Sequence, residues 1–299
     1  MTSPGLVAAR ARVLELVRSR RPLLIVTDFD GTLSPISLDP LAAKIDPAGR
    51  RALRRLAALA ERRPDRVSLV VLSGRAARDV AGRVRVGGVR YLGNHGIERT
   101  DLARRRRPEV LDVRVDPALE QYVEPATSIG DAVASALGRP DWLYVEPKGP
   151  AIAFHFRQAP DPDAARIAVI EAIEAAERAA GGTGLVQLEG RKVVELQPEG
   201  AGGKGGAVRR LIDRERPGAV IVLGDDRSDA EAFEAVRTAR ASGRIDGLTV
   251  GVQAASETPP EVAAAADVEL ANPNEASRLL AALASALQAE EAVGGSSRS

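Results

Sequence analysis

Continuous apolar runs and helical periods alternate along the first hundred residues. Gly5 to Arg18 carries Val7, Val13, Leu14 and Val17 on roughly one face, which predicts a leading helix. Leu23-Leu24-Ile25-Val26 follows, closed by Thr27-Asp28-Phe29-Asp30-Gly31-Thr32-Leu33. A run of this length ending in carboxylates and a glycine reads as a strand covered on both faces that exits into a polar loop. Pro47 opens a helix through Leu53, Leu56 and Leu59. Val67 to Leu72 is a second buried strand, stopped by Ser73-Gly74-Arg75 before a helix from Ala76. Strand, helix and strand with short joints form a parallel unit, so Ser73 leaves the sheet at the same edge as Asp28. Val89 to Leu92 gives a further strand and then Gly93-Asn94-His95-Gly96, a loop suited either to close approach of a ligand or to a plain turn. Asp101 to Pro108, with four arginines in a row from Arg104, reads as a solvated turn.

From Asp116 the pattern changes and repeats. A helix over 117–137 precedes strands at 142–146 and 151–157; a helix over 162–180 then precedes strands at 184–189 and 192–197. Two helix-hairpin units in tandem predict a separate α+β domain, a four-stranded antiparallel sheet with two helices on one face. The parallel pattern resumes after Gly200. A glycine-rich approach, Gly200 to Gly206 with Lys204 inside it, opens a helix through Val208, Leu211 and Ile212. Such an approach suits a phosphate at a helix N-terminus, or a hinge between domains. Val220 to Leu223 is the next buried strand, stopped by Gly224-Asp225-Asp226-Arg227-Ser228-Asp229. Leu248 to Val252 and Val268 to Leu270 complete the sheet, followed by a helix over 274–287; residues 290–299 lose the period and are expected to be a disordered tail. The expected fold class is therefore α/β, a Rossmann-like parallel sheet split into residues 1–98 and 200–289, with an αββαββ cap inserted over 99–199.

Charge and composition narrow the chemistry. With 42 basic and 41 acidic residues the net charge is +1, which argues against a general nucleic-acid or membrane-surface binder. There is no cysteine, so disulfides, thiolate ligands and thiol nucleophiles are excluded. No apolar run is long enough for a signal peptide or a spanning helix, and a cytoplasmic location is expected. Arginine is the default cation. The only lysines are Lys44, Lys148, Lys192 and Lys204, which hints that these positions need a compact point charge.

Two residues apart on an extended chain, Asp28 and Asp30 point the same way; alone, they fit a turn as well as a site. Ser73 alone fits a helix cap equally well. Convergence changes the reading. Asp28, Asp30, Ser73, Lys204 and Asp225 to Asp229 all sit at strand exits or helix starts along one edge of the sheet. Carboxylates about 4 Å apart repel by roughly 4 kcal/mol per pair at an effective dielectric near 20, so the group needs a cation or a shared proton. Hard oxygen ligands point to Mg²⁺, and Ser73 with Lys204 supplies donors for an anion. Carboxylates, a metal and phosphate donors describe phosphoryl transfer.

These residues resemble a known family. Asp28-Phe29-Asp30-Gly31-Thr32, Ser73-Gly74-Arg75, Lys204 and Gly224 to Asp229 match in order the four motifs of the haloacid dehalogenase superfamily. Gly93-Asn94-His95-Gly96, Glu146-Pro147-Lys148-Gly149, Ala153 to Arg157 and Lys192 to Glu195 are similar, more narrowly, to trehalose-6-phosphate phosphatases. The resemblance implies a core of the haloacid dehalogenase type. It implies Asp28 as nucleophile, Asp30 as acid and then base, and Mg²⁺ held by Asp28, the Asp30 carbonyl and Asp225, with Asp229 in the outer shell or on Lys204. Thr32, Ser73, Gly74 and Lys204 would grip the phosphoryl group. Asn94, His95, Gly96, Glu146, Lys148, His155 and Arg157 would contact the sugar, while Lys192 and Glu195 could instead form a cross-strand ion pair. The implied reaction is hydrolysis of trehalose 6-phosphate, the last step of trehalose biosynthesis, by a monomer with a trehalose-phosphate synthase as partner. Related phosphosugars, such as sucrose phosphate or mannosylphosphoglycerate, and a non-catalytic regulatory module are the alternatives. This chain departs from the pattern by an extra glycine before Lys204, by Gly203 in place of a polar residue, and by Ser228-Asp229-Ala230 for a commoner Thr-Asp-Glu.

Overall fold

A computed structural model describes residues 2–36, 42–103, 111–190, 192–199, 201–253 and 259–296. Along the chain run α1 (Pro4–Ser19), β1 (Leu23–Thr27), α2 (Pro47–Arg62), β2 (Val67–Leu72), α3 (Ala77–Val84), β3 (Val89–Gly93), β4 (Glu98–Leu102) and β5 (Arg114–Val115). Next come α4 (Val123–Ala136), β6 (Tyr144–Pro147), β7 (Ile152–His155), α5 (Pro162–Ala180), β8 (Leu185–Gly190) and β9 (Val193–Pro198). The chain closes with α6 (Gly203–Glu215), β10 (Ala219–Gly224), α7 (Arg227–Ala241), β11 (Asp246–Val252), α8 (Pro260–Ala265), β12 (Val268–Leu270) and α9 (Pro273–Ser296). Residues 1–114 with 203–299 make one compact unit and 115–202 another.

In the first unit an eight-stranded sheet has the order β12-β11-β10-β1-β2-β3-β4-β5. Strands β12 to β3 in that order are parallel, and β4 turns back antiparallel on β3. All five residues of β1 are buried because helices cover both faces: Leu23 and Ile25 pack with Val13, Leu53 and Leu279 on one side, Leu24 and Val26 with Val208 and Phe233 on the other. Register then fixes the site. Thr27 lies level with Leu223 of β10 and with Val71 of β2, so the residues that follow each strand leave the sheet at one edge.

Helix starts follow local chemistry. Ser3, Asp46 and Asp161 each cap a helix through the side-chain oxygen, and each is followed by proline, whose missing N–H costs nothing at the first helical position.

The second unit is an antiparallel sheet ordered β6-β7-β9-β8 with α4 and α5 on one face. Ile152, Phe154, Val194 and Leu196 pack there against Ile129, Val133, Val169 and Ile173. Residues directly opposite one another share a face, so Glu146, Ala153, Glu195 and Leu188 form a row on the other side, with Tyr144, His155 and Val193 in the next row.

The structure differs from the sequence expectation in several places, beyond the unexpected short elements β5 and α8. Strand β4 extends the first unit past 98, because Glu98 to Leu102 pairs residue by residue with β3; Asp101 and Leu102 are therefore strand, and 104–110 lie outside the described residues. The units divide after Arg114 and after Gly202 rather than at 98 and 199. Helix α4 begins at Val123, after a 3-10 turn at Glu120–Tyr122, rather than at 117. Helix α9 runs to Ser296, where a tail from 290 was expected: Glu290 and Glu291 pair with Arg21 and Arg62, both at 3.0 Å, contacts that periodicity within one helix does not reveal.

Phe154 is fully buried in the second unit. Phe154→Ala is expected to destabilise the protein by about 3–5 kcal/mol in denaturant unfolding, through lost transfer energy and the cavity left behind.

Candidate active site

Strand β1 delivers Asp28 to the sheet edge. Its backbone N–H donates to the Leu223 carbonyl at 2.9 Å, extending the pairing with β10 by one residue, and its carboxylate is buried. The chain then turns at Gly31, which has φ +75°; a Cβ there would meet Asp225 Oδ2 at 1.9 Å. A glycine is thus required for both conformation and space. Thr32 Oγ1 donates to Asp225 Oδ1 at 3.0 Å, tying the loop after β1 to the loop after β10.

Lys204 binds these elements together. Its Nζ, buried in the first turn of α6, lies 3.0 Å from Asp28 Oδ1, 2.8 Å from Asp229 Oδ1 and 3.6 Å from Asp226 Oδ1. A cation at a helix N-terminus opposes the dipole, so these carboxylates are what keep it there. Asp226 caps α7, accepting from Asp229 N at 3.0 Å, and Asp229 Oδ2 accepts in return from the N–H groups of Asp225 and Asp226 at 3.1 and 3.2 Å. That is a capping box with aspartate as its third residue. Gly224 has no room for a side chain, since a Cβ would lie 2.1 Å from Asp229 Cγ.

Three carboxylates surround one ammonium, Asp225 stands close by, and the charges do not balance. Burial, with Asp225 and Asp226 nearby, lifts Asp28 to about 7 despite Lys204. Burial and Asp229 lift Asp225 to about 7 as well. Burial works against ionising Asp226 too, but Lys204 and the Ser228 hydroxyl hold that carboxyl down at about 2. Against the burial penalty, Asp229 and Asp28 hold Lys204 charged well above the ordinary lysine range. Asp28, Asp225 and Asp229 each offer an oxygen within 4.8 Å of the others. Both Asp229 oxygens accept hydrogen bonds, whereas Asp28 and Asp225 each have one oxygen engaged, by Lys204 and Thr32 respectively. Oxygen-only donors carrying uncompensated negative charge fit a hard divalent ion such as Mg²⁺.

The loop after β2 faces the same edge. Ser73 does not cap α3; its N–H donates to the Leu92 carbonyl and its Oγ accepts from Arg75 N at 3.2 Å. The Gly74 position lacks room because a Cβ would stand 2.9 Å from His95 Cε1. Asn94, His95 and Gly96 all take positive φ, and the loop is pinned by His95 N to the Ser73 carbonyl at 3.0 Å and Asn94 N to the Arg75 carbonyl at 2.9 Å. Asp30 is gripped by Arg75, through Nε at 2.6 Å and a terminal nitrogen at 2.8 Å.

On the second unit, Glu146, Lys148 and His155 come together on the open sheet face. His155 Nε2 lies 2.8 Å from Glu146 Oε2 and its ring stacks on Tyr144, with centroids 5.6 Å apart. Lys148 Nζ lies 3.0 Å from Glu195 and 3.8 Å from Glu146. The ion pair considered between Lys192 and Glu195 is replaced by this one, because β7 lies between β6 and β9 and the turn carrying Lys148 reaches across it. Arg157 lies past the end of β7, exposed.

The sequence matches the trehalose-phosphatase family over residues 26–273. The chain belongs to this family. It is 37% identical over 232 residues, 76% of its length, to a trehalose-phosphate phosphatase of Mycobacterium avium, of which it spans 53%. It is 37% identical over 228 residues, 74% of its length, to a bifunctional trehalose-6-phosphate synthase/phosphatase of Thermoproteus tenax, of which it spans 28%. It spans as little as 17% of other curated relatives. The structure of Aspergillus fumigatus trehalose-6-phosphate phosphatase superposes with a TM-score of 0.67 at 24% identity, covering 92% of this chain and 97% of that one, which shows a shared fold. That fold is the α/β core with an inserted α+β unit expected from the sequence. Among the described residues, no helix is long and apolar enough to cross a membrane.

Four residues of this trehalose-phosphatase family member were given no individual role by the sequence reading of the site. Arg75 and Asp226 lie inside quoted motifs, and their partners are set only by folding. Glu98 accepts from Asn94 Nδ2 at 2.7 Å and from Ala77 N at 2.8 Å, joining the positive-φ loop to the start of α3. Tyr144 is exposed yet held by its ring contact, a combination that no spacing signals.

Asp28 and Asp225 both hold protons in the fold that the unfolded chain releases at lower pH, so between about pH 4 and 7 the native state binds more protons and stability falls as pH rises. Calorimetry without metal is expected to show a melting temperature that drops from pH 5 to pH 8. Added Mg²⁺ should raise it, and by more at pH 8, where no proton has to be displaced.

Proposed function

We propose that the chain is an Mg²⁺-dependent phosphatase that hydrolyses trehalose 6-phosphate to trehalose and phosphate. The observation that carries this reading is the buried Asp28 carboxylate, held 3.0 Å from Lys204 at the exit of the central strand with Asp30 two residues on. Family membership supplies the substrate class.

In the proposed mechanism an Asp28 oxygen attacks phosphorus as the bond to the sugar oxygen breaks, and Asp30 gives that oxygen its proton. Asp30, now a carboxylate, takes a proton from water as the water oxygen attacks phosphorus and the bond to Asp28 breaks, which returns both residues to their starting state. Lys204, Thr32, Ser73 and the Gly74 N–H bind the phosphoryl oxygens. Asp229 holds Lys204 and the start of α7 rather than acting on substrate. Mg²⁺, held by Asp28, Asp225 and the Asp30 main-chain carbonyl, would neutralise charge on the transferring group. Glu146, Lys148 and His155 supply hydroxyl acceptors and donors for the sugar; Asn94 and His95 serve through the loop they shape, and Arg157 adds an exposed positive charge to the second unit.

The fused name of the Thermoproteus tenax relative supports a trehalose-phosphate synthase as partner. The cytoplasm is the proposed location, because a charged phosphosugar does not cross a membrane unaided.

Phosphate release in Mg²⁺ across a panel of phosphosugars tests the reading. Trehalose 6-phosphate should give the highest kcat/KM, and preference for another phosphosugar would overturn the substrate. Asp28→Asn should cut turnover by at least about 1,000-fold, since no nucleophile remains; unchanged activity would remove the assignment. Glu146→Gln with Lys148→Ala should raise KM for the disaccharide phosphate by about 100-fold or more, the loss of about two hydrogen bonds to charged groups.

A further inference from the structure

The motif after β2 contains a residue that neither the phosphate nor the sugar accounts for. Arg75 presents its guanidinium edge-on to Asp30, Nε to Oδ2 at 2.6 Å and a terminal nitrogen to Oδ1 at 2.8 Å. Its third nitrogen donates to Asp79 Oδ2 at 3.1 Å, and the guanidinium carbon sits 5.8 Å from the Phe29 ring centre. Asp79 is itself fixed by Arg83 Nε, 2.9 Å from both carboxylate oxygens, and Arg83 reaches the Ala43 carbonyl at 3.1 Å. The fork is thus anchored at its far end to α3 and to the chain before α2. Asp30 is the more exposed partner, its side chain 39% accessible against 16% for Arg75, so the arginine is the fixed member of the pair.

We propose that Arg75 is the positioning residue for Asp30 in phosphoryl transfer, acting on the leaving oxygen only through that carboxylate. The inference rests on the phosphatase reading above. The chemistry between the two half-reactions requires such a group. When the Asp28–phosphorus bond forms and the sugar oxygen departs, the proton leaves Asp30 for that oxygen, and a bare carboxylate remains until water returns a proton to it. A planar fork with two parallel N–H donors matches that carboxylate and holds both oxygens in one orientation, from the moment the proton passes to the leaving oxygen until water returns one. A lysine, with one point charge, would hold one oxygen and leave the other free to rotate.

The test uses leaving groups that differ in their need for a proton. A sugar alkoxide must be protonated as it leaves, whereas 4-nitrophenolate leaves without help, and kcat/KM reports the step that releases either one. Arg75→Ala should lower kcat/KM for trehalose 6-phosphate by about 100-fold while lowering that for 4-nitrophenyl phosphate by less than about 5-fold. Arg75→Lys should recover less than a tenth of the lost sugar-phosphate activity. Asp30→Asn should show the same selectivity, and adding Arg75→Ala to it should cost little more, because both act in one transfer. Equal losses on the two substrates, full recovery with lysine, or additive losses in the double variant would each overturn the proposal. Should Arg75→Ala fail to fold by calorimetry, Asp79→Asn, which frees the far end of the fork, must show the same selectivity in weaker form. Wild-type inactivity toward trehalose 6-phosphate overturns the substrate alone, and the comparison then uses whichever phosphosugar turns over; if none does, both readings fall.

Discussion

The buried ammonium of Lys204 is the constraint around which the active edge of this protein is assembled. An unpaired lysine in the interior would cost several kcal/mol and would discard its proton. Asp28 from β1, Asp229 from α7 and Asp226 from the cap of α7 keep it charged, and α6 brings it to them. None of these elements can shift without stranding a charge. The same arrangement leaves Asp225 and Asp28 short of positive charge, with both carboxyls raised to about 7, and that deficit makes a divalent cation a natural complement to the site.

Much of the site is held by residues that do two things. Asp229 completes the capping box of α7 and anchors Lys204 with its other oxygen. Gly31 and Gly224 are absences of side chain that let Asp225 and Asp229 approach the backbone. Arg75 accepts a position between Asp30 and Asp79 and lies over Phe29. Substitutions at such positions disturb chemistry and folding together, which is why leaving-group selectivity is a better probe of Arg75 than activity alone.

The second unit separates apolar packing from paired charge by sheet face. Phe154, Val194 and Leu196 bury the side covered by α4 and α5, while Glu146, Lys148, His155 and Glu195 satisfy one another on the open side. A row of mutually paired charges beside the Tyr144 ring offers acceptors, donors and an apolar surface at once. A sugar presents the same three kinds of partner, hydroxyl donors, hydroxyl acceptors and C–H faces.

Periodicity by itself determined a great deal: the buried runs around Ile25, Leu69 and Ile221 specify parallel strands, the helix-hairpin repeat after Asp116 specifies a second unit, and the motif carboxylates lie where strands end. These are local or repeated signals, set by side-chain alternation and by turn residues. Their limits are physical too. Strand β4 is a polar, interrupted stretch, Glu98-Arg99-Thr100-Asp101-Leu102, that becomes a strand only because β3 offers it an edge, and α9 continues past 290, where Arg21 and Arg62 pair with Glu290 and Glu291. Asp229 could be read as standing near the metal or as holding Lys204, and only the fold put it 2.8 Å from that ammonium, beside Asp28 and Asp225. Likewise Arg75 could meet Asp30, and Lys148 could meet Glu195, only after strands far apart in sequence were set side by side, because a hydrogen bond depends on distance in space and the sequence records only distance along the chain.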